Sequence, residues 1–319
     1  MSALLEVRGL EVAIGGLPIL RGVDMEVRPG EILGVVGETG AGKSMTARSI
    51  LDLLPAKATA SFATCAFAGQ DFIPPKARQE ARGHRIGFVP QRPRGSLNPV
   101  FRVGNQLSAT LRRLRDMGRR DARREALDLL RSVRITDPAR VYRSFPHELS
   151  GGMCQRVCIA IALAGEPELI IADEPTTGLD VTIQAEILRL LGEVISERNA
   201  AGMLITHDLG VVADVCDRVA VMYAGRVVNV GATAEMYREA LHPYPNRLVS
   251  IATSLDSGGT PREVPGRVPN PGDDLAACAF APRCFRAGPG CFDEEPPRVA
   301  RAGQVAFCHH PIDTGMVPR

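Results

Sequence analysis

The chain has 319 residues, enough for one large domain and a smaller one. Hydrophobic residues make up 45% and charged residues 23%, as in ordinary globular proteins, and the net charge of +2 gives no global basis for nucleic-acid binding. No secretory signal is recognisable, and no apolar run reaches the roughly 20 residues that a membrane helix requires. These features favour a cytosolic protein whose cysteines are reduced thiols or metal ligands.

Strands and helices alternate along the first three quarters of the chain. The pattern predicts two N-terminal strands, a short buried strand that ends in a glycine loop, a helix and a further strand. A mostly helical stretch follows over about residues 95–165, and its arginine-rich part, residues 111–131, is interpreted as a solvated helix face rather than a nucleic-acid patch. The apolar strand "ELIIADEP", a helix with Ile183, Ile187, Leu190, Leu191, Val194 and Ile195 on one face, and a hairpin turning at Ala224-Gly225 come next.

This alternation predicts an α/β fold with a largely parallel sheet. Beyond His242, proline and glycine become frequent and periodicity fades. We therefore predict a main domain over residues 1–240, with a helical subdomain at about 95–165, and a small appended domain over residues 241–319.

A phosphate-binding loop is indicated by "GETGAGKS", which fits the pattern G-x-x-x-x-G-K-[ST]. The loop follows an apolar strand and precedes a helix, so its backbone N–H groups and the helix N-terminus face an anion. Lys43 is expected to reach the β- and γ-phosphates, and Ser44 to bind Mg²⁺. The nucleotide-contacting residues predicted here are Gly37, Glu38, Thr39, Gly40, Ala41, Gly42, Lys43, Ser44 and Met45.

Four polar residues at the ends of predicted strands complete a candidate hydrolytic site. Asp173 is expected to support Mg²⁺, and Glu174 to orient and polarise the attacking water. Gln91 is placed to contact Mg²⁺ or water, and His207 to donate a hydrogen bond to a γ-phosphate oxygen.

The segment "LSGGMCQR" contains a serine and two glycines that open a second helix. Its N-terminus is a second place where an anion is favoured. A single nucleotide does not require two such places, whereas the nucleotide of a second chain would use this one.

In this order, the phosphate-binding loop, Gln91, "LSGGMCQR", "ADEP", "TGLD" and His207 resemble the nucleotide-binding subunits of ABC transporters over about residues 4–240. The resemblance implies a P-loop NTPase cassette with a RecA-like core, an antiparallel β subdomain and a helical subdomain. It also implies a head-to-tail dimer with two sandwiched ATP molecules. Glu174 is then the catalytic base, His207 the γ-phosphate switch, and Gln91 the link to the membrane subunits and a Mg²⁺ ligand beside Ser44 and Asp173.

The same resemblance assigns Ser150, Gly151 and Gly152 to the partner's ATP and Asp180 to the dimer interface. Ile14 occupies the position at which the family places an aromatic side chain against adenine, so apolar contact is expected to replace stacking there.

Four clustered cysteines, Cys278, Cys284, Cys291 and Cys308, distinguish the C-terminal part. Structural zinc sites favour shorter spacings, whereas iron–sulfur sites tolerate varied ones, and unligated structural cysteines are the alternative to any metal site. The remaining cysteines, Cys65, Cys154, Cys158 and Cys216, are interpreted as packing residues.

The tail segments "HPYPNRL", "PGRVPNPG", "CAFAPRC" and "PPR", with "SLNP" after Gln91, resemble the oligopeptide/dipeptide (and nickel) import ATPases. In that group the four cysteines are associated with a [4Fe–4S] cluster, and Zn²⁺ is the alternative here.

The resemblance implies an ATP-hydrolysing subunit that energises an importer of peptides or a related small solute. Its expected partners are a second ABC ATPase in a heterodimer, two transmembrane permease subunits and an extracytoplasmic substrate-binding protein, at the cytoplasmic face of the inner membrane. No nucleic-acid partner is expected. The alternatives are an importer ATPase for nickel or another chelated solute, a soluble ABC ATPase, and a regulatory cassette that binds ATP without hydrolysis.

Overall fold

The computed structural model describes residues 2–256, 264–273, 275 and 277–312. The strands are β1 Leu5–Ile14, β2 Leu17–Val27, β3 Ile32–Val36, β4 Ala58–Ser61, β5 Thr64–Phe67, β6 Gln70–Asp71, β7 Ile86–Val89, β8 Leu169–Asp173, β9 Ala201–Ile205, β10 Arg218–Tyr223, β11 Arg226–Ala232, β12 Arg298–Arg301 and β13 Gln304–Phe307. The helices are α1 Lys43–Ile50, α2 Pro75–Ala81, α3 Pro93–Ser96, α4 Val103–Arg115, α5 Arg119–Ser132, α6 Pro138–Arg143, α7 Gly151–Ala162, α8 Val181–Glu197, α9 Leu209–Val215, α10 Thr233–Arg238 and α11 Pro243–Asp256.

The chain divides into two compact units. Unit 1 consists of residues 1–4, 27–32 and 68–205, and unit 2 consists of residues 5–26, 33–67 and 206–319. Unit 2 thus brings the phosphate-binding loop and the C-terminal residues into one body, whereas Gln91, Asp173 and Glu174 belong to unit 1. The predicted boundary at residue 240 stays a prediction.

Unit 1 is built on three parallel strands in the order β7-β8-β9. All five residues of β8 and of β9 are buried, which explains why both strands are apolar apart from Asp173 at the end of β8. On α8 the predicted face is confirmed, because Ile187, Leu190 and Leu191 are at most 2% exposed. In the helical part, arginines of α4 and α5 pair with acids, among them Arg124 with Asp121 at 3.1 Å, as expected for a solvated helix face.

Unit 2 contains two sheets. In one, β1 pairs antiparallel with β4 and β5, so the expected antiparallel β element is present. In the other, the strand order is β12-β13-β11-β10-β3, with β3 parallel to β10 and the remaining pairs antiparallel. The hairpin predicted at Ala224-Gly225 joins β10 to β11, and both residues have positive φ angles, 45° and 82°.

The C-terminal hairpin β12–β13 was not predicted from the sequence. It extends the sheet, because Asn229 and Val230 of β11 lie opposite Ala306 and Val305. The Asn229 side chain is fully buried and donates to the Val305 carbonyl at 3.0 Å, while its oxygen accepts the His242 N–H at 3.0 Å. Buried amides with their hydrogen bonds satisfied fix this strand pairing in one register.

His242 begins the C-terminal part as a buried imidazole. It is 1% exposed, its Nδ1 accepts the backbone N–H of Tyr244 at 3.1 Å, and burial lowers its pKa to about 3. The imidazole is therefore neutral in the folded protein.

We expect the free energy of unfolding to fall as the pH drops below about 6.5, by at most about 1.4 kcal/mol per pH unit, because the unfolded chain then binds a proton that the folded chain does not. His242→Asn keeps an acceptor but does not titrate, so its unfolding free energy should depend less on pH. Urea denaturation between pH 7.5 and 5 measures both slopes, and parallel slopes would contradict this account of His242.

Candidate functional site

The phosphate-binding loop connects β3 to α1 around the buried side chain of Lys43. Its ammonium donates to the carbonyl oxygens of Gly37 at 2.7 Å and Glu38 at 3.2 Å, and the residue is 4% exposed. Because these acceptors belong to the loop itself, the hydrogen bonds hold both the ammonium and the loop backbone in position. The α1 N-terminus and this ammonium are a site for an anion.

Two glycines of the loop, Gly37 and Gly42, have no room for a side chain. A Cβ atom on Gly37 would lie 2.2 Å from the Met222 carbonyl oxygen, and one on Gly42 would lie 2.4 Å from the Leu20 side chain. Gly42 also has a φ of 101°, which L side chains rarely adopt. The glycine pattern found in the sequence therefore has a packing reason as well as a conformational one.

The other predicted residues of unit 2 lie around this loop and after β9. Thr39 and Gly40 are exposed, Ala41 is buried, and Ser44 and Met45 are partly exposed in the first turn of α1. Ile14 is the last residue of β1, opposite Ala58.

His207 is exposed and lies two residues beyond β9 rather than at its end. Its neighbours are fixed, because the Thr206 hydroxyl accepts the Asp208 N–H at 3.0 Å and Asp208 caps α9. The imidazole is therefore presented from a well-defined turn.

In unit 1, Glu174 is held by two neighbours. Its Oε2 accepts the Gln91 side-chain amide at 2.9 Å and the Thr177 hydroxyl at 3.1 Å. Asp173 ends β8 and is 1% exposed. Glu174 has a φ of 42°, which is uncommon for a residue other than glycine and is a feature of functional sites.

The structure therefore brings Gln91 and Glu174 into direct contact. Thr177 joins them, and nothing in the sequence reasoning had assigned it to this carboxylate. The signal was present, since a hydroxyl three residues beyond an acid in a tight turn is placed to bond back to it.

The segment that begins α7 is shaped by close packing. Ser150 caps the helix by accepting the Met153 N–H at 3.3 Å. A Cβ on Gly151 would lie 2.9 Å from Leu179, and one on Gly152 would lie 2.9 Å from Ile183. Asp180 caps α8 through the Ile183 N–H at 3.0 Å, so the predicted dimer-interface residues form one packed cluster within unit 1.

The four clustered cysteines lie in one neighbourhood of unit 2. Cys291 and Cys308 are buried, Cys278 and Cys284 are half-buried, and the Cys278 N–H donates to the Cys291 carbonyl at 3.1 Å. Burial raises the pKa of Cys308 to about 12, and the charges of the other three cysteines contribute to that increase. The other four cysteines are buried, in agreement with their interpretation as packing residues.

In the part of the chain that the structure describes, no three His, Cys, Asp or Glu side chains are close enough to share one metal ion. A [4Fe–4S] cluster uses four cysteine thiolates as its donor set and binds each at a different iron. The four cysteines of this segment supply that number of thiols, and among the described residues they form no metal centre. Among the described helices, none is long and apolar enough to cross a membrane.

Two family models match this chain. The model described as ABC transporter matches residues 20–177, and the one described as oligopeptide/dipeptide transporter, C-terminal region, matches residues 228–291. A probable peptide ABC transporter ATP-binding protein of Sinorhizobium fredii is 45% identical over 96% of this chain and 94% of its own length. The oligopeptide transport ATP-binding protein OppD of Bacillus subtilis is 41% identical over 93% of this chain and 86% of its own length.

Solved structures confirm the cassette fold. CbiO1 of Clostridium perfringens, part of the ABC transporter complex CbiONQ, has a TM-score of 0.65 at 29% identity and covers 75% of this chain and 92% of its own. The ATP-binding cassette MJ0796, as a post-hydrolysis dimer with ADP and Pi, has a TM-score of 0.63 at 25% identity and covers 72% of this chain and 98% of its own. The chain therefore belongs to the ATP-hydrolysing, ATP-binding subunits of ABC transporters, in the group with the oligopeptide/dipeptide transporter C-terminal region.

Proposed function

We propose that this chain hydrolyses ATP to drive the import of peptides through an ABC transporter. The observation that carries the hydrolytic role is the carboxylate of Glu174, whose Oε2 accepts hydrogen bonds from Gln91 and Thr177. The peptide substrate is supported by the names of relatives that match along nearly the whole chain, including the C-terminal region.

The phosphates of ATP bind to the loop that begins with Gly37. Lys43 and the N–H groups at the start of α1 provide the positive potential, and Lys43 is already desolvated and oriented by two loop carbonyls. Ser44, Gln91 and Asp173 would supply oxygen donors of the kind that Mg²⁺ prefers, and the bound ion would neutralise phosphate charge.

Glu174 acts as the general base. It accepts a proton from the water that attacks the γ-phosphorus, the bond to the β-phosphate oxygen breaks, and ADP and inorganic phosphate leave. Because Gln91 and Thr177 both bind Oε2, the orientation of the carboxylate is fixed. His207 donates a hydrogen bond to the γ-phosphate from its exposed position.

A second ATPase chain completes each nucleotide site, and we infer a heterodimer. Ser150, Gly151 and Gly152 contact the partner's ATP, and Asp180 lies at the interface. Their support is the position of these residues at the N-terminus of α7, where Ser150 caps the helix and backbone N–H groups favour an anion. ATP binding closes the dimer, and the closed state shifts the membrane subunits between access states.

The membrane subunits dock beside the turn that follows Gln91. Val100 is 70% exposed and Phe101 is 53% exposed, yet the turn is ordered, because the Gln106 amide donates to the carbonyls of Asn98 and Phe101 at 2.9 Å. An ordered, exposed apolar turn is a typical protein-binding feature. The chain then lies at the cytoplasmic face of the inner membrane, with two permease subunits and an extracytoplasmic binding protein that selects the peptide.

We further propose that Cys278, Cys284, Cys291 and Cys308 hold a [4Fe–4S] cluster that stabilises the C-terminal region. The support is the set of four cysteines in one segment, in which the Cys278 N–H donates to the Cys291 carbonyl at 3.1 Å. The four residues are joined by turns, with the hairpin β12–β13 immediately before Cys308, so a cross-link among them would limit the freedom of the unfolded chain.

Thr177→Val removes a hydroxyl donor while keeping the shape of the side chain. We expect kcat for ATP to fall about tenfold, because Glu174 loses a hydrogen bond that orients it. Thr177→Ser keeps the hydroxyl and is the matched control. Equal kcat values for the two variants in a steady-state phosphate-release assay would contradict this role of Thr177.

Glu174→Gln tests the function as a whole. In a complex reconstituted with its membrane subunits and binding protein, we expect peptide to stimulate ATP turnover by the wild type, and kcat of the variant to fall by about 100-fold or more with ATP binding retained. Glu197→Gln, an exposed acid at the end of α8, is the control. Stimulation by a nickel chelate but not by peptide would overturn the substrate assignment.

Cys284→Ser tests the cluster. We expect anaerobically purified wild type to contain iron and acid-labile sulfide, and the variant to lose both and melt at a lower temperature. The value of kcat at saturating ATP should change little, because the cluster takes no part in hydrolysis. Cys65→Ala, a buried cysteine of the same unit, should keep its iron, and iron-free wild type would refute the cluster.

A further inference from the structure

The side chain of Arg283 enters the phosphate-binding loop from the cysteine segment. Arg283 ends a short 3-10 turn directly before Cys284, and its side chain is 3% exposed. Its Nη1 donates to Glu38 Oε2 at 2.6 Å and its Nη2 to Glu38 Oε1 at 2.9 Å, a bidentate pair. Such a pair fixes both the distance and the orientation of the two groups.

The remaining donors of this guanidinium are also used. Nη1 donates to the Tyr223 hydroxyl at 3.1 Å, Nη2 to the Val264 carbonyl at 2.8 Å, and Nε to the Pro265 carbonyl at 2.9 Å. All five N–H donors of Arg283 therefore have acceptors, and no rotation of the side chain preserves them. The guanidinium is a rigid connector between the cysteine segment and the loop.

Glu38, the acceptor of this ion pair, belongs to the part of the loop that orients Lys43. It is the second residue of the phosphate-binding loop, and its carbonyl is one of the loop carbonyls that accept a hydrogen bond from Lys43. Its own N–H donates to the Tyr244 hydroxyl at 2.9 Å. The backbone that orients Lys43 is thus fixed on one side by Tyr244 and through the Glu38 carboxylate by Arg283.

The Arg283 guanidinium also neutralises the negative charge of Glu38. A carboxylate on a loop that binds phosphates would repel them, and at short range in a partly buried site this repulsion is weakly screened. The guanidinium neutralises the carboxylate at contact distance. Without Arg283, the loop would present an uncompensated negative charge beside the nucleotide.

We propose that Arg283 is a positioning residue for nucleotide binding, which holds the phosphate-binding loop through Glu38 and cancels the charge of that carboxylate. The cysteine segment thereby sets the affinity of the ATP site in its own chain. The buried Phe280 anchors the segment, since its ring lies 5.3 Å from that of Tyr223 and 5.1 Å from that of Tyr244. This inference rests on the proposed binding of ATP at the Gly37–Ser44 loop.

The test is the affinity of the purified full-length chain for Mg·ADP, measured by titration calorimetry for the wild type, Arg283→Gln, Glu38→Gln and the double variant. We expect Arg283→Gln to weaken binding about tenfold. It should also raise KM for ATP more than it lowers kcat. Glu38→Gln should change affinity less, and the double variant should bind more tightly than Arg283→Gln, because no uncompensated carboxylate remains.

Arg286→Gln is the matched control. It lies two residues beyond Cys284 in the same segment, and its Nε donates to the His310 carbonyl at 3.2 Å rather than to the loop. Equal affinities of the two arginine variants, or a double variant no tighter than Arg283→Gln, would overturn the proposal while leaving ATP binding intact. A wild-type chain that does not bind Mg·ADP would overturn the ATP site itself.

Discussion

The buried ammonium of Lys43 is the constraint around which the nucleotide half of the molecule is organised. A cation taken from water needs acceptors, and the loop supplies its own carbonyls at Gly37 and Glu38. That arrangement requires a tight loop, so Gly37 and Gly42 have no room for side chains. It also requires the outer side of the loop to be fixed, and Tyr244 and Arg283 from the C-terminal region provide that contact.

In unit 1, the two acidic residues are held by their own backbone turn and by neighbouring side chains. Asp173 is buried at the end of β8, and the chain then turns sharply at Glu174, whose backbone has a positive φ. Hydrogen bonds offset the backbone strain of that turn. The Glu174 N–H donates to the Ile205 carbonyl at 2.9 Å, and the Glu174 side chain accepts from Gln91 and Thr177. A carboxylate held in this way loses little further freedom when a water molecule binds to it.

The C-terminal region is integrated with unit 2 rather than simply attached to it. The strand β13 pairs with β11, the buried amides of Asn229 and Gln304 join that pairing to the His242 segment, and Phe280 packs among aromatic rings. A segment rich in proline and glycine thereby acquires a buried framework. Its cysteines and Arg283 are positioned by the same framework, which connects a candidate cluster to the loop that binds nucleotide.

The sequence by itself determined the phosphate-binding loop, the acids at the end of β8 and the alternation of strands and helices, because these depend on local spacing and on the burial of apolar runs. The cassette as a whole came from the resemblance of its motifs to a known family. It did not reveal the hairpin β12–β13, although "RVARAGQVAF" alternates in the manner of a strand pair, because proline and glycine on both sides hid the pattern. Only the tertiary structure placed Gln91 on Glu174 and Arg283 on Glu38. Partners 83 and 245 positions apart are selected by packing and by the need to satisfy buried charge, and neither leaves a local pattern in the sequence.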